Sequence, residues 1–489
     1  MAQASIKKNT IFNMIKTIAT IIFPLITFPY ISRVLQPENV GKINFGLSIV
    51  SYFSLIASLG ISTYAIRECS AVRNEKNRLS SIASQIYSIN IITTIIAYIM
   101  LTFMLVFYNR LENYRTLIIV QSLSIIATTI GADWLNSAME DFKYITIRTV
   151  LFQIISLVLM FIFVHQPEDY IKYALISLIS SAGANVVNIW YRRKFCRVKM
   201  IWDIKNGIEW KRHMLPIVYL FVMILAQTIF NSVDITMLGF IHGDYDVGIY
   251  STASKISNII NQLVASILWV IMPRMSYYFS ISDYKQINNL LRKILGFSAL
   301  VGLPIGIGTI MLSDDIVFII AGDNYSEAGF VLKILMIGFI FTTFGGSFFG
   351  NAILLPSKKE KIFMIVCCIS AIVNIITNLF LIPLYGAIGA AITTMFCALF
   401  MLIILIFTKD KRICLENVCK VLISPILGTI LIVITCLICR RIDGLWLRVI
   451  ISVFSSALMY GLVVIGLKNE LVIELLYVLK NKRRIDNND

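Results

Sequence analysis

Residues 360–408 read EKIFMIVCCISAIVNIITNLFLIPLYGAIGAAITTMFCALFMLIILIFT, and between Lys361 and Lys409 no Asp, Glu, Lys or Arg interrupts them. A helix that crosses the hydrocarbon core of a bilayer needs about 20 mostly apolar residues. This run therefore holds two crossings, near 362–382 and 386–407. Working outward, earlier spans fall near 11–31, 43–62, 82–107, 116–139, 149–165, 171–190, 214–241, 247–272, 294–312 and 329–355, and later ones near 421–439 and 447–467. The fold class this predicts is an all-α polytopic membrane protein with about fourteen transmembrane helices. Composition agrees: of 489 residues 58% are hydrophobic and 14% charged, where a soluble chain carries about 25% charge. No stretch between spans is long enough to build a soluble core.

The net charge of +16 does not describe a nucleic-acid surface, because the basic residues form no single patch. They sit in short loops between apolar runs. With the amino terminus inside, about 32 of the 43 Lys and Arg fall in inner segments and about 8 in outer ones, a bias of roughly four to one that places both termini in the cytoplasm. The richest inner loop carries Arg192, Arg193, Lys194, Arg197, Lys199, Lys205, Lys211 and Arg212. Lys7 and Lys8 precede an apolar run of spanning length with no small-residue cleavage site after it, so the first helix is expected to remain. The nine cysteines are scattered, and Cys436 and Cys439 read as two small hydrophobic residues of a membrane helix. His165, His213 and His242 are too far apart for metal-ligand spacing. Neither a metal nor a cofactor is expected.

The basic loop also divides the chain. Shifting the first six spans by about 207 residues lays each on one of the next six, and Val40-Gly41 falls on Val247-Gly248. Six is even, so both halves start on the same side and form parallel repeats. The expected organisation is an N-lobe at 1–206, a C-lobe at 207–408, and two added helices with a cytoplasmic tail at 409–489.

Polar side chains are expensive in hydrocarbon, about 2.5–3.5 kcal/mol for a charge on insertion scales. Four helices nevertheless carry them at helical spacing. The first shows Asn9, Asn13, Lys16, Thr20 and Thr27; the second Asn44, Ser48, Ser51, Ser58 and Ser62; the seventh Gln227, Asn231 and Asp234; the eighth Ser251, Lys255, Asn258, Gln262 and Ser266. Small polar residues also let helices approach closely, but the charges and amides point to a shared, water-accessible lumen. Asp234 and Lys255 lie at similar distances from the turn near Asp244, so an ion pair across that hairpin is expected, either structural or opened by a ligand. Lys16 is placed to snorkel to one face or to meet an anionic headgroup, and Arg33 is similarly placed at the other end of its helix. Lys and Arg bind a pyrophosphate by charge and donor count.

Lys8-Asn9, Phe12-Asn13, Pro24-Leu25, Pro29-Tyr30, Ser32-Arg33, Gly41, Phe45, Ser48, Tyr52-Phe53, Leu59-Gly60, Arg67-Glu68 and Arg73 form a pattern with Asp133-Trp134, Glu140, Phe142, Tyr144-Ile145 and Arg148. Asp234, Leu238-Gly239, Val247-Gly248, Tyr250, Lys255-Ile256, Pro273-Arg274, Ile382-Pro383, Gly386-Ala387 and Gly389-Ala390-Ala391 continue it. Over about residues 5–400 the chain resembles bacterial O-antigen and polysaccharide repeat-unit flippases of the multidrug/oligosaccharidyl-lipid/polysaccharide flippase superfamily. The resemblance implies transfer of an undecaprenyl-pyrophosphate-linked oligosaccharide from the cytoplasmic to the periplasmic leaflet of a bacterial inner membrane. It also implies alternating access through a cationic lumen, drive by an ion gradient (H+ or Na+) or the membrane potential, and polysaccharide-assembly proteins as partners. Substrate contacts are then expected from Asn13, Lys16, Arg33, Ser48, Gln227, Asn231, Asp234, Lys255, Asn258 and Gln262, and gating or coupling from Asp133, Asp234 and Lys255. Two departures stand out. Asn136, Ser137 and Ala138 follow Asp133-Trp134 where relatives commonly carry an aromatic, Gln and Gly. Thr393-Thr394-Met395-Phe396-Cys397 lacks the acid that relatives often place there.

A cation-coupled drug exporter of the same superfamily would stop at twelve helices and need no basic groups along its lumen. A lipid II flippase shares the helix count and a cationic cavity. A glycan polymerase or ligase would need a large outer loop, whereas the longest outer segment, 313–328, has no Lys, Arg or His. The chain is therefore expected to be a transporter and no enzyme. Neutralising Lys16, Arg33 or Lys255 singly is expected to lower transport, read as surface polysaccharide in a strain dependent on this chain. Full transport by all three variants would sink the cationic route.

Overall fold

The computed structural model describes the backbone of residues 6–203, 207–269, 271–408, 410, 412–413 and 418–474, and those residues are helical with short connections and no strand. Ten helical stretches are long and apolar enough to cross a membrane, and two of them, 8–71 and 360–408, contain an internal break. The chain divides into two compact units, 1–248 and 249–489.

In the first unit α1 (Ile6–Ser58) is two helices joined at Gln36, whose φ of 66° and ψ of 165° are not helical. Pro37 follows, and a proline at the first position of a helix forgoes an N–H that has no partner there anyway. Leu59 and Gly60, both at positive φ, turn the chain into α2 (Ile61–Ala71), which α3 (Lys76–Phe107) follows. The span expected at 116–139 is not one helix. It ends with α4 (Arg115–Gly131), because Ala132 adopts φ 48°, and resumes as the short α5 (Trp134–Ala138). The span expected at 149–165 is a full-length helix, α6 (Phe142–Phe163), because Asp141 caps it two turns earlier by accepting from the Tyr144 N–H at 3.3 Å. Next, α7 (Tyr170–Leu178) runs through a π-turn into α8 (Ala184–Tyr191), and α9 (Trp210–Ile241) closes the unit.

Residues 195–203 and 207–210, within the basic loop, are pinned to α3. Ser80 donates to the Arg197 carbonyl at 2.6 Å, and Ser84, Ser88 and Gln85 accept from the N–H groups of Lys199, Ile201 and Glu209 at 3.1, 2.8 and 2.9 Å. Phe195, Cys196 and Ile208 join a core with Tyr64, Ile86, Trp134 and Leu135. The polar residues of α3 therefore serve a loop that has no ladder of its own.

One close backbone approach shapes this unit. A Cβ on Gly41 would lie 1.8 Å from the Asp244 carbonyl oxygen, and one on Gly248 would lie 2.0 Å from that of Pro37. The two glycines of the Val-Gly echo thus sit where the break in α1 meets the turn at Gly243 (φ 111°). Gln36 and Gly243 are themselves about 207 residues apart.

In the second unit α10 (Asp244–Trp269, beginning in the first) leads to α11 (Met272–Ser280), α12 (Tyr284–Met311), α13 (Ser313–Ala321) and α14 (Ser326–Thr342), which continues as a π-helix to Leu354. The 49-residue α15 (Glu360–Thr408) breaks at Gly386, at φ 52° and ψ −128°, a conformation that only glycine adopts readily. The final helices, α16 (Val418–Cys439) and α17 (Leu445–Gly466), form a hairpin. Arg448 pairs with Asp315 (Nε to Oδ2 3.0 Å), Tyr460 donates to the Leu300 carbonyl at 2.7 Å, and Cys436 and Cys439 are buried against Ser456 and Ser455. The outer face of α17 exposes Trp446, Leu447, Ile450, Phe454, Leu458 and Leu462. That apolar surface needs lipid as its solvent.

His213, which precedes the apolar part of α9, is fully buried; its Nδ1 lies 2.8 Å from the Tyr64 hydroxyl and its Nε2 3.1 Å from Gln85 Oε1. Burial and the neighbouring Arg212 push its pKa below the ordinary 6.5, so the unfolded chain takes up a proton first as pH falls. Stability is expected to be flat above about pH 6.5 and to decline below it toward the lowered folded value. A thermal-melt series against pH checks this, and His213→Gln should flatten it. Gly41→Val should cost about 1–3 kcal/mol through forced backbone displacement, read by the same melts.

Candidate functional site

The predicted polar stripes have separate fates. Asn13 is exposed, Lys16 half-buried and Arg33 exposed, all on the first half of α1. Lys16 and Arg33 are 17 positions apart, roughly 25 Å along a helix, so the structure does not bring them together. Lys16 has no ion-pair partner among the described residues. Ser48 is buried and accepts from the Thr236 hydroxyl at 2.9 Å; Tyr52 and Thr236 are 3.1 Å apart, and Ser51 reaches Ser232 at 3.4 Å. These hydroxyls zip the second half of α1 to α9, the close packing that small polar residues allow. Asp234 is buried on α9 in the first unit. The side chains of Gln227, Asn231 and Ser266 lie outside the described residues. In the second unit Lys255 is half-buried, while Asn258 and Gln262 are exposed along α10.

Asp133 stands in the most developed polar cluster of the first unit, which follows from how α4 ends. The last carbonyls of a helix lack intrahelical partners. Here Asn188 donates to the Gly131 carbonyl at 2.7 Å and Arg192 to that of Ile130 at 2.8 Å. Held by α8 in this way, the chain turns at Ala132 and presents Asp133. Its Oδ1 accepts from Arg148 Nη2 at 2.6 Å and from Asn136 Nδ2 at 3.1 Å, and the same Asn136 amide reaches Asn188 Oδ1 at 2.6 Å. Arg148 is only 5% exposed, Asp133 31%. Arg148 Nε and Nη1, Trp134 Nε1 and Asn136 Oδ1 are buried without a partner. Beside them lies a cavity of ≈ 50 Å³ bordered by Ser54, Ser58, Ser62, Thr128, Asp133 and Trp134.

Sequence reasoning singled out Asp133 but assigned no role to Arg148, Asn188 or Arg192. Arg148 lies fifteen residues beyond Asp133, in the second turn of α6, and Asn188 lies further still. No local spacing could have joined them. Asn136, a departure from the pattern of relatives, supplies an amide to the cluster.

A chain with this arrangement is a polytopic, all-helical membrane protein, and its fold is that of a solved flippase. The structure of lipid II flippase MurJ in an inward closed conformation superposes with a TM-score of 0.74 at 17% identity, covering 95% of this chain and 100% of that one. The sequence profile of polysaccharide biosynthesis proteins matches residues 6–279, over half the chain, and the protein belongs to that family. The MatE profile matches residues 220–380. The chain is 24% identical over 391 residues to a protein named as an O-antigen transporter in Escherichia coli K12, covering 80% of this chain and 93% of that one. It is 25% identical over 397 residues to capsular polysaccharide biosynthesis protein CapF of Staphylococcus aureus, covering 79% and 94%.

The Asp133–Arg148 pair yields an ordered prediction. Asp133→Ala leaves a buried guanidinium uncompensated and is expected to cost about 3 kcal/mol. Arg148→Met leaves a carboxylate that water reaches and should cost clearly less. Unfolding of both variants in detergent checks the order.

Proposed function

We propose that this protein transfers an undecaprenyl-pyrophosphate-linked oligosaccharide, an O-antigen or capsule repeat unit, from the cytoplasmic to the periplasmic leaflet of a bacterial inner membrane. The observation that carries this reading is the family match over residues 6–279. Relatives named for O-antigen transport and capsular polysaccharide biosynthesis, each matched over more than nine-tenths of its length, support it. The cargo pairs a long apolar tail, which stays in lipid, with a charged and hydroxylated head that hydrocarbon excludes. A carrier for it needs an apolar exterior and a polar interior route, and the polar residues of α1, α9 and α10 provide candidates for that route.

In this reading fourteen crossings divide into two parallel six-helix lobes, 1–206 and 207–408, that rock alternately, with the last hairpin and tail at 409–489 added. Both termini are cytoplasmic. Lys16, Arg33 and Lys255 meet the pyrophosphate in turn; Asn13, Gln227, Asn231, Asn258 and Gln262 contact the head, whereas Ser48 is taken up by the seam with Thr236; Asp234 with Lys255, and Asp133, serve as gate or coupling groups for H+, Na+ or the membrane potential. Polysaccharide-assembly proteins are its partners.

Deleting the gene is expected to remove surface polysaccharide while lipid-linked repeat units accumulate on the cytoplasmic face, and the plasmid-borne chain should reverse both. Unchanged polysaccharide with raised drug sensitivity would favour an exporter. Lysis with accumulated lipid II would favour a lipid II flippase, the function printed for the structural neighbour.

A further inference from the structure

The cavity beside Asp133 has a composition that selects among ligands. We infer that it is a subsite for one hydroxylated edge of a sugar, which assigns part of the head of the proposed cargo to the corner between α4 and α5. The choice of ligand class rests on that cargo, but the chemistry of the pocket stands by itself.

Charge comes first. The Asp133 carboxylate is matched by the Arg148 guanidinium at 2.6 Å, so the site is neutral as a whole. A bare cation requires oxygen ligands with net negative charge, and here the guanidinium lies on the carboxylate it would use. A pyrophosphate requires cations and converging donors, and Arg148, which bonds Asp133 through Nη2, does not border the cavity.

Donors and acceptors come next. Ala57, Ile61 and Ile125 give the cavity apolar walls and serine hydroxyls border the rest; those of Ser54 and Ser62 bond to nothing else among the described residues. Ser58 donates to the Leu55 carbonyl at 3.3 Å, which leaves its oxygen lone pairs to accept. Asn90, 6% exposed, spends its N–H on the Ala57 carbonyl at 2.8 Å, leaving its amide oxygen. Asp133 Oδ1 carries both of that residue's bonds, so Oδ2 is open. Trp134 is 5% exposed, and its indole N–H is buried with no partner. Each sugar hydroxyl both donates and accepts, so neutral hydroxyls, an amide oxygen and one carboxylate oxygen match it. The size agrees: at about 10–15 Å³ for each water-sized probe, ≈ 50 Å³ takes the place of a few waters, which is two or three ring hydroxyls and not a whole ring. Ser62 and Thr128 are exposed and form the mouth; Asn90, Thr129 and Trp134 are buried and form the floor.

The test is saturation-transfer NMR on the full-length protein in nanodiscs, with free hexoses, N-acetylhexosamines, a hexuronic acid and their deoxy analogues as probes. Sodium chloride and inorganic pyrophosphate are run as competitors. At least one sugar is expected to bind in the millimolar range through protons of one edge and to lose binding when a hydroxyl on that edge is removed. Ser54→Ala and Ser58→Ala should each weaken it about fivefold, the scale of one neutral hydrogen bond. Ser62→Ala, at the exposed mouth, provides a variant with little risk to folding. No sugar binding, or binding that all three substitutions leave unchanged, overturns the inference and leaves a pocket for water only. Competition by sodium or pyrophosphate that Ser58→Ala abolishes overturns it in favour of an ion. The deletion experiment above separates the two readings: restored polysaccharide without sugar binding removes the pocket alone, whereas sugar binding without restored polysaccharide removes the proposed cargo.

Discussion

In hydrocarbon, a backbone N–H or C=O must find its partner within the protein, since no water is at hand to supply one. Most of this chain meets the demand by helix, and the instructive places are where helices stop. The end of α1 at Ala57 is met by Asn90 and Thr93 from α3, at 2.8 and 2.6 Å. The end of α4 is met by Asn188 and Arg192. Many polar side chains that look like candidates for function are thus employed in closing the backbone. Others, such as the Asp133 carboxylate, pair with side chains instead, here Arg148 and Asn136.

That division explains what was legible in the sequence. Hydrophobic runs announced the all-helical membrane fold, because apolar length is a local property of the chain. The breaks were less visible. Pro37 and Gly386 are residues that interrupt helices, but Ala132 is a strong helix former, and its left-handed backbone arises because two side chains from α8 cap the carbonyls before it. Ser48 and Ser51 looked like members of a wet stripe, and the structure puts them in a seam with Ser232 and Thr236. Periodicity reveals which face a residue occupies and cannot say whether another helix covers that face. Asp133 was legible through resemblance; its partners Arg148, Asn136 and Asn188 converge only after α5, α6 and α8 have folded together.

The Val-Gly echo gains a physical meaning from the same logic. Val40-Gly41 and Val247-Gly248 echo each other in sequence because each glycine admits the other segment's backbone, at Asp244 and Pro37 respectively. Only a residue without a Cβ allows that contact on both sides. The family match, which runs from residue 6 to 279, covers both members of the echo.

The pinning of residues 195–203 and 207–210 has a further consequence. Their backbone is tied to Ser80, Ser84, Gln85 and Ser88 by uncharged hydrogen bonds, while Arg197 and Lys199 remain exposed. The charges are therefore carried on an already ordered strip. A basic segment that is disordered must lose conformational freedom when it settles on a layer of anionic headgroups; this one has lost it during folding. Each cation near such a surface contributes about 1 kcal/mol, and little of that would be spent on ordering a segment held in this way.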